Sequence, residues 1–251
     1  MGRNLIDYSL FKGFPQVKAF TTVKQTLPEE AKPRFTGTPA LKAEQNRKKL
    51  AEVLNIDCDK LVFPGQTHTS SVFCLAEVPS EEIRDTDALV TNQHDICLCV
   101  QTADCVPVLL FDPAGNAVGA VHAGWRGTVG LIVKEVVLTL KQYFDSDPKD
   151  IRAVIGPSIG PERYEVGNEV AEAVLTHIPK PGLCLKKYPS GKYHLNLWEA
   201  NRQVLLGCGL LAENIQVSGY CTYSQPEHFF SARREGFDTG RLVSGIMLLN
   251  D

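Results

Sequence analysis

Between Ile96 and Val121 three apolar runs crowd together: Ile96–Val100, Val106–Phe111 and Ala117–Val121. Each is short and dominated by aliphatic residues, many of them β-branched, which is the composition of a buried strand. Asp112-Pro113-Ala114-Gly115-Asn116 separates the last two and consists of turn residues, so that pair reads as a hairpin. A chain with this centre has to fold around a sheet. Further strands read at Val17–Thr22, Lys60–Phe63, Ser71–Glu77, Ala88–Thr91, Ile151–Ile155, Ile215–Ser218 and Leu242–Leu249. Helical periodicity lies among them, over Thr38–Asn55, Val129–Tyr143, Gly167–His177 and Leu197–Leu206. Lys24–Gly37 and Pro179–Gly191 read as loops. No internal repeat or clean linker divides the 251 residues, so one α+β domain over residues 1–251 is expected.

The residues able to do chemistry stand beside these strands. Gln66-Thr67-His68-Thr69, Thr102-Ala103-Asp104-Cys105 and Val121-His122-Ala123-Gly124 bring an imidazole, a thiol and a second imidazole on separate segments. His and Cys together suit zinc, and three protein ligands leave a fourth tetrahedral position open for water or substrate. A catalytic zinc site of His68, Cys105 and His122 is therefore the leading reading. Two plainer readings stand beside it. A Cys between strands can be a small buried hydrophobe, and Cys105 with His122 as base could form a metal-free thiol hydrolase.

Other polar positions carry less. Asp104 could shuttle a proton or orient a ligand. Gly124–Thr128 precedes the expected helix at Val129, where an anion could sit, and Arg126 would add positive charge there. Thr38 as N-cap and Pro39 at the first helical position open the first helix. Its apolar stripe is Ala40, Ala43, Leu50 and Leu54, and Arg47 falls on the same stripe. An Arg facing inward needs an anion or carbonyls, unless its stem snorkels past the core edge. A guanidinium fork matches phosphate geometry.

Composition removes several classes. The formal net charge is −3 and no basic block stands out, which argues against nucleic acid as a partner. The eight cysteines lack framework spacing, so they read as reduced thiols. No apolar leader segment and no membrane-length run is visible, so a cytoplasmic protein without a membrane partner is expected.

The segments DALVTN, QTADCVPVLLFD, VGAVHAGWRGT, AVIGPSIGPERYEVG, HLNLWEANRQVLL and CTYSQPEHFFSARREG resemble the YfiH-type laccase-domain family, also called multicopper polyphenol oxidoreductases. The resemblance runs from about Phe20 onward, and HAGWRGT is its most specific motif. It implies a mixed β-sandwich core flanked by helices, and one zinc held by His68, Cys105 and His122. It implies a purine nucleoside phosphorylase, with adenosine deaminase and methylthioadenosine phosphorylase side activities. It places Asn46-Arg47 near the active site, which favours Arg47 as a phosphate-binding and catalytic residue, and it puts Tyr164, Glu165 and Arg233 at the pocket wall. The expected partners are purine nucleosides and phosphate, with the chain acting as a monomer. Cell-wall precursor editing is a further role that the resemblance leaves open.

The chain departs from the family pattern in two places. It has Thr22-Val23-Lys24-Gln25 and a shortened connection where most members carry an Arg and a Gly pair. It has Ser158 and Arg163 where the family often has Cys. The copper label itself fits poorly: a four-copper oxidase needs many histidines, whereas this chain has six and no His-x-His pair. Copper could still occupy the zinc site.

Overall fold

The computed structural model describes residues 5–37 and 39–250. Its first half contains β1 (Leu5–Asp7), β2 (Val17–Thr22), α1 (Ala40–Leu54), β3 (Leu61–Val62), β4 (Val72–Leu75), β5 (Ala88–Thr91), β6 (Cys97–Thr102), β7 (Val106–Asp112) and β8 (Ala117–Ala123). Then follow α2 (Trp125–Val129), α3 (Ile132–Phe144), β9 (Arg152–Ile155), β10 (Glu165–Val166), α4 (Asn168–His177), β11 (Leu185–Lys187), β12 (Tyr193–Leu195), α5 (Leu197–Gly207), β13 (Ile215–Val217), α6 (Ala232–Glu235) and β14 (Leu242–Leu248).

Two large sheets form the sandwich. One has six strands in the order β13-β9-β7-β8-β5-β4, the other five in the order β1-β2-β14-β6-β3. A small third sheet, β10-β12-β11, stands apart. The central hairpin forms as the turn residues require, with Val106 opposite Ala123 and Asp112 opposite Ala117.

Side-chain alternation shows why the inner strands are apolar throughout. On β7, Val108 and Leu110 pack toward Val133, Val136 and Leu140 of α3, while Leu109 and Phe111 face the other sheet. On β6, Leu98 and Val100 meet that interior, while Cys97 and Cys99 pack on Leu50 and Leu54 of α1. The layers therefore run helix, five strands, six strands, helices. A strand covered on both faces is apolar on both, so its sequence loses the alternating pattern of a half-exposed strand, and the polar residues of β6, β7 and β8 (Gln101, Thr102, Asp112 and His122) fall at or near strand ends.

Several expectations change in detail. The apolar face of α1 is Ala43, Asn46, Leu50, Ala51 and Leu54, with Ala40 exposed and Arg47 only half-buried. The inward polar position is thus Asn46, one residue before Arg47. Thr38, the expected N-cap, lies outside the described residues. The helix expected from Val129 is two: α2 ends at Val129, and Leu131 adopts a left-handed φ of 59° before α3 begins. Pro179–Gly191 is not all loop, because Leu185–Lys187 pairs with Tyr193–Leu195. All eight cysteines are free thiols. Among the described residues no helix is long and apolar enough to cross a membrane.

Candidate metal and substrate site

β6 belongs to the five-stranded sheet and β7 to the six-stranded one. Ala103-Asp104-Cys105 is therefore a crossover between the sheets at one end of the sandwich. Asp104 makes the tight turn with a φ of 97°. His122 lies near the end of β8, paired with Pro107. His68 sits in the loop between β3 and β4 with a φ of 65°. Three segments far apart in sequence meet there.

One buried carboxylate holds them in place. Asp87, at the head of β5, is fully buried and accepts from His122 Nδ1 at 2.7 Å through Oδ1. The same oxygen accepts from the His68 amide at 3.1 Å. Oδ2 accepts from the Thr67 and Thr69 amides at 3.2 and 2.7 Å and from the Thr69 hydroxyl at 2.9 Å. Burial pushes Asp87 up, but the bonds from His122 and Thr69 outweigh it and bring the carboxyl down to about 2. With Nδ1 committed to Asp87, the Nε2 of His122 is left for a ligand. That is the outer hydrogen bond by which metal-binding histidines are oriented.

The donor atoms of His68, Cys105 and His122 all lie within 4.8 Å of one another, and Cys105 Sγ is 3.9 Å from His68 Nε2. Tetrahedral zinc would set such atoms roughly 3.3–3.6 Å apart, so small side-chain adjustments close the set. Gly124 keeps the space open: a Cβ there would stand 3.0 Å from Cys105 Sγ and 3.1 Å from His68 Cδ2. Burial raises the Cys105 thiol, but the neighbouring His122 more than offsets this and brings it to about 6. His122 is drawn down by burial yet lifted by Cys105 and Asp87 to about 9. The site thus favours a thiolate, the form that binds metal. The donor set, the oriented imidazole and the glycine gap all fit zinc.

These donors open onto a cavity of about 270 Å³, also lined by Arg34, Thr36, Gln66, Gln101, Phe237 and Arg241. Gln66 and Gln101 exchange side-chain-to-backbone bonds of 2.9 and 2.7 Å, tying the His68 loop to β6. The Gln101 side chain accepts from the Phe35 amide and donates to the Thr36 hydroxyl, at 2.8 and 2.7 Å. Phe237 is 86% exposed at the mouth.

The remaining candidates fall into distinct places. Arg47 lines a separate, larger groove of about 860 Å³ that shares only Thr36 with this cavity. Asn46 is buried, and its amide donates to the Arg34 carbonyl at 2.8 Å, so it holds the segment that carries Arg34. The Asp104 carboxylate accepts from the Thr222 and Ser231 hydroxyls at 2.6 and 3.0 Å and from the Arg233 amide at 2.7 Å. Those bonds make it a brace between the Cys105 turn and the C-terminal loops. The Arg233 guanidinium lies 5.1 Å over the Tyr164 ring and donates to the Glu165 carbonyl at 3.0 Å. Tyr164 is pushed up chiefly by burial, and Tyr164, Glu165 and Arg233, expected at the pocket wall, are not among the residues lining this cavity. The Glu165 carboxylate itself pairs with Lys192 at 2.7 Å. Arg126 is exposed and stacks 4.3 Å over Trp125. The α2 helix beside it has only five residues, too short for the expected anion site.

Asp87, Arg34 and Arg241 are the residues that sequence reading passed over. Asp87 had a signal: an acid opening a buried strand, where an unpaired charge is costly. The arginines had none: Arg34 lies in Lys24–Gly37, which reads as polar loop, Arg241 lies just before β14, and the path of each to the cavity depends on tertiary packing.

Residues 36–249 match the family model described as multi-copper polyphenol oxidoreductase laccase. A purine nucleoside phosphorylase of Bacteroides thetaiotaomicron is 35% identical, the match covering 98% of this chain and 97% of that one. "Adenosine deaminase RL5", from an unknown prokaryotic organism, is 39% identical over 84% of each chain. The crystal structure of YlmD from Geobacillus stearothermophilus superposes with a TM-score of 0.90 at 28% identity, covering 100% of this chain and 98% of its own.

Proposed function

Because the chain belongs to the multi-copper polyphenol oxidoreductase laccase family, within which it matches a purine nucleoside phosphorylase over nearly its whole length, we propose that it is a zinc-dependent purine nucleoside phosphorylase. It would convert inosine, guanosine or adenosine with phosphate to free base and ribose 1-phosphate. Adenosine deamination and methylthioadenosine phosphorolysis are its proposed side activities, the former in line with the deaminase among its relatives. The observation that carries the reading is the convergence of His68, Cys105 and His122 donors on a cavity of about 270 Å³.

His68, Cys105 and His122 would hold the zinc. Bound there, zinc supplies a Lewis acid and lowers the pKa of water toward about 7. The protein's own groups set up the rest. Asp87 fixes the tautomer of His122 and the path of the His68 loop. Asp104 ties the Cys105 turn to the loop that begins at Ser231. Phe237 offers an apolar face to a planar base at the mouth, and the cavity arginines face the anionic reactant. Tyr164 stacks on Arg233, whose amide donates to Asp104, so this pair would brace the Cys105 turn from outside the cavity. Copper in the same donor set remains compatible with the ligand types. The cluster nevertheless offers only two histidines and one cysteine among the described residues, too few for a multicopper centre.

The test is to incubate the purified, zinc-loaded protein with inosine and with adenosine, with and without phosphate, and to identify the products. Expected are ribose 1-phosphate and hypoxanthine from inosine only when phosphate is present, and inosine from adenosine in its absence. Free ribose formed without phosphate would make the protein a nucleoside hydrolase. Deamination surviving complete metal removal would refute the zinc assignment. A second reading, a metal-free hydrolase, draws on the closeness of Cys105 to both imidazoles. Stoichiometric zinc with loss of thiol alkylation separates it from the first.

A further inference from the structure

We propose that the anionic co-substrate is held by Arg34, Arg241 and Thr36, on the wall of the metal-site cavity rather than by Arg47 in the neighbouring groove. The inference rests on the phosphorylase reading for its ligand, inorganic phosphate.

The two guanidiniums are close neighbours. Arg34 Nη2 donates to the carbonyls of Phe237 and Thr239 at 2.8 and 3.3 Å. Arg241 Nη2 donates to the same Phe237 carbonyl at 3.1 Å, and its Nη1 to that of Thr239 at 2.8 Å. Like charges this close are costly without an anion between or beside them. Burial pulls Arg241 down, and the next contribution is Arg34 itself. The nearby carboxylate does not balance them. Asp238 is 3.8 Å from Arg34, has a side chain 87% exposed, and is engaged by Lys32 at 2.8 Å. Cys105 and Asp104 also act on Arg241, but Cys105 belongs to the proposed metal site and Asp104 is taken up by Thr222, Ser231 and the Arg233 amide, so neither guanidinium has a carboxylate of its own.

Donors remain for a ligand. Among the described residues the Arg34 side chain makes its hydrogen bonds through Nη2, leaving the hydrogens of Nε and Nη1. The Thr36 hydroxyl accepts from Gln101 Nε2, so its own hydrogen is free to be donated. The framework is fixed on both sides. Asn46 holds the Arg34 carbonyl, and the Arg241 amide donates to the Pro33 carbonyl at 2.8 Å. Arg241 Nη1 also donates to the Gly240 carbonyl at 3.1 Å, so that side chain keeps its Nε hydrogen and one on Nη2. These, the N–H donors left on Arg34 and the Thr36 hydroxyl can each meet one oxygen of a tetrahedral oxyanion.

The same cavity carries the donors of the proposed metal site, so an anion on this wall and a nucleoside between them would share one space. A phosphate oxygen would bond to C1′ of the ribose as the C1′–N9 bond breaks. The electron pair of that bond leaves with the purine, and the proton given up by phosphate ends on the base.

The experiment is inosine phosphorolysis by the zinc-loaded full chain over a range of inorganic phosphate, for Arg34→Met, Arg241→Lys and Arg47→Ala beside wild type. Calorimetric titration with inorganic phosphate is run on each. Loss of a charge-assisted donor should raise the KM for phosphate roughly ten- to a hundredfold in Arg34→Met. Zinc content and the KM for inosine should stay near wild type. Arg241→Lys keeps the charge and should show a smaller rise in the same constant. Unchanged phosphate KM in both cavity variants would overturn the inference, as would a rise confined to Arg47→Ala. If wild type makes no ribose 1-phosphate, the phosphorylase reading fails while the titration still decides this one. Binding that is lost in Arg34→Met supports the subsite, and binding that persists, or is absent from wild type, rejects it.

Discussion

Replacing Asp87 by Asn should weaken both the metal site and the fold around it, by amounts that the hydrogen bonds allow us to bound. Asp87 Oδ1 serves His122 Nδ1 and the His68 amide; Oδ2 serves the Thr67 and Thr69 amides and the Thr69 hydroxyl. An Asn side chain must turn one of these oxygens into an NH₂ group. Whichever it is, two N–H donors then face another donor in a buried site. Each such orphan costs about 1–3 kcal/mol, so the variant should lose about 2–6 kcal/mol of stability. Loss of the carboxylate behind a metal-binding His typically costs about 10–100-fold in metal affinity. Competition with a chromophoric chelator reads the affinity, and urea denaturation of metal-free protein reads the stability. An Asp87→Asn protein with wild-type zinc affinity and wild-type unfolding midpoint would show that the carboxylate organises nothing.

Cys105→Ala should lose most of the bound zinc, measured by elemental analysis; full zinc in that variant would sink the ligand set. Gly124→Ala pushes a Cβ to 3.0 Å from Cys105 Sγ and 3.1 Å from the His68 ring. Circular dichroism should find the fold retained while zinc occupancy drops, and wild-type occupancy would mean the gap is not required. Glu235 is pushed up by burial but brought down to about 2 by its bonds from Thr239, Arg234 and Lys24. A carboxyl lowered in the folded state stabilises above its unfolded value of about 4.3 and loses that contribution as pH falls toward 2. With its side chain 29% exposed, the contribution is discounted to about 1–2 kcal/mol. Glu235→Gln should remove that acid-side loss from the stability profile, and an unchanged profile would refute the assignment.

The sheet architecture was legible because burial leaves a local trace. The runs at β6, β7 and β8 are apolar through their middles, and the turn at Asp112–Asn116 has the residues a hairpin needs. The donor set was legible for a different reason. Spacing alone leaves His68, Cys105 and His122 open to plainer readings among eight cysteines and six histidines, and it is the likeness of their motifs to the laccase-domain family that singles the three out. What could not be read was phase and path. The side of α1 that carries its inward polar residue differs from the expected one by a single position, Asn46 for Arg47. That shift moves the arginine into another groove. The break at Leu131 needs a left-handed backbone at a leucine, for which no local signal exists. Arg34 reaches the cavity because Asn46 of α1 and Gln101 of β6 hold residues 34–36 between them, a tertiary arrangement invisible in a loop of prolines and charges.

The crossover at Ala103–Cys105 has a mechanical consequence. Cys105 sits on the link from the five-stranded to the six-stranded sheet, and His68 sits on another such link, between β3 and β4. Joining those two side chains through one ion would clasp the two halves of the sandwich at a single end. The clasp would close a stretch of chain 37 residues apart in sequence, whose freedom in the unfolded state it would curtail. A chelator would then do more than silence chemistry: it would let that end of the sandwich part first, ahead of the strands packed at its middle.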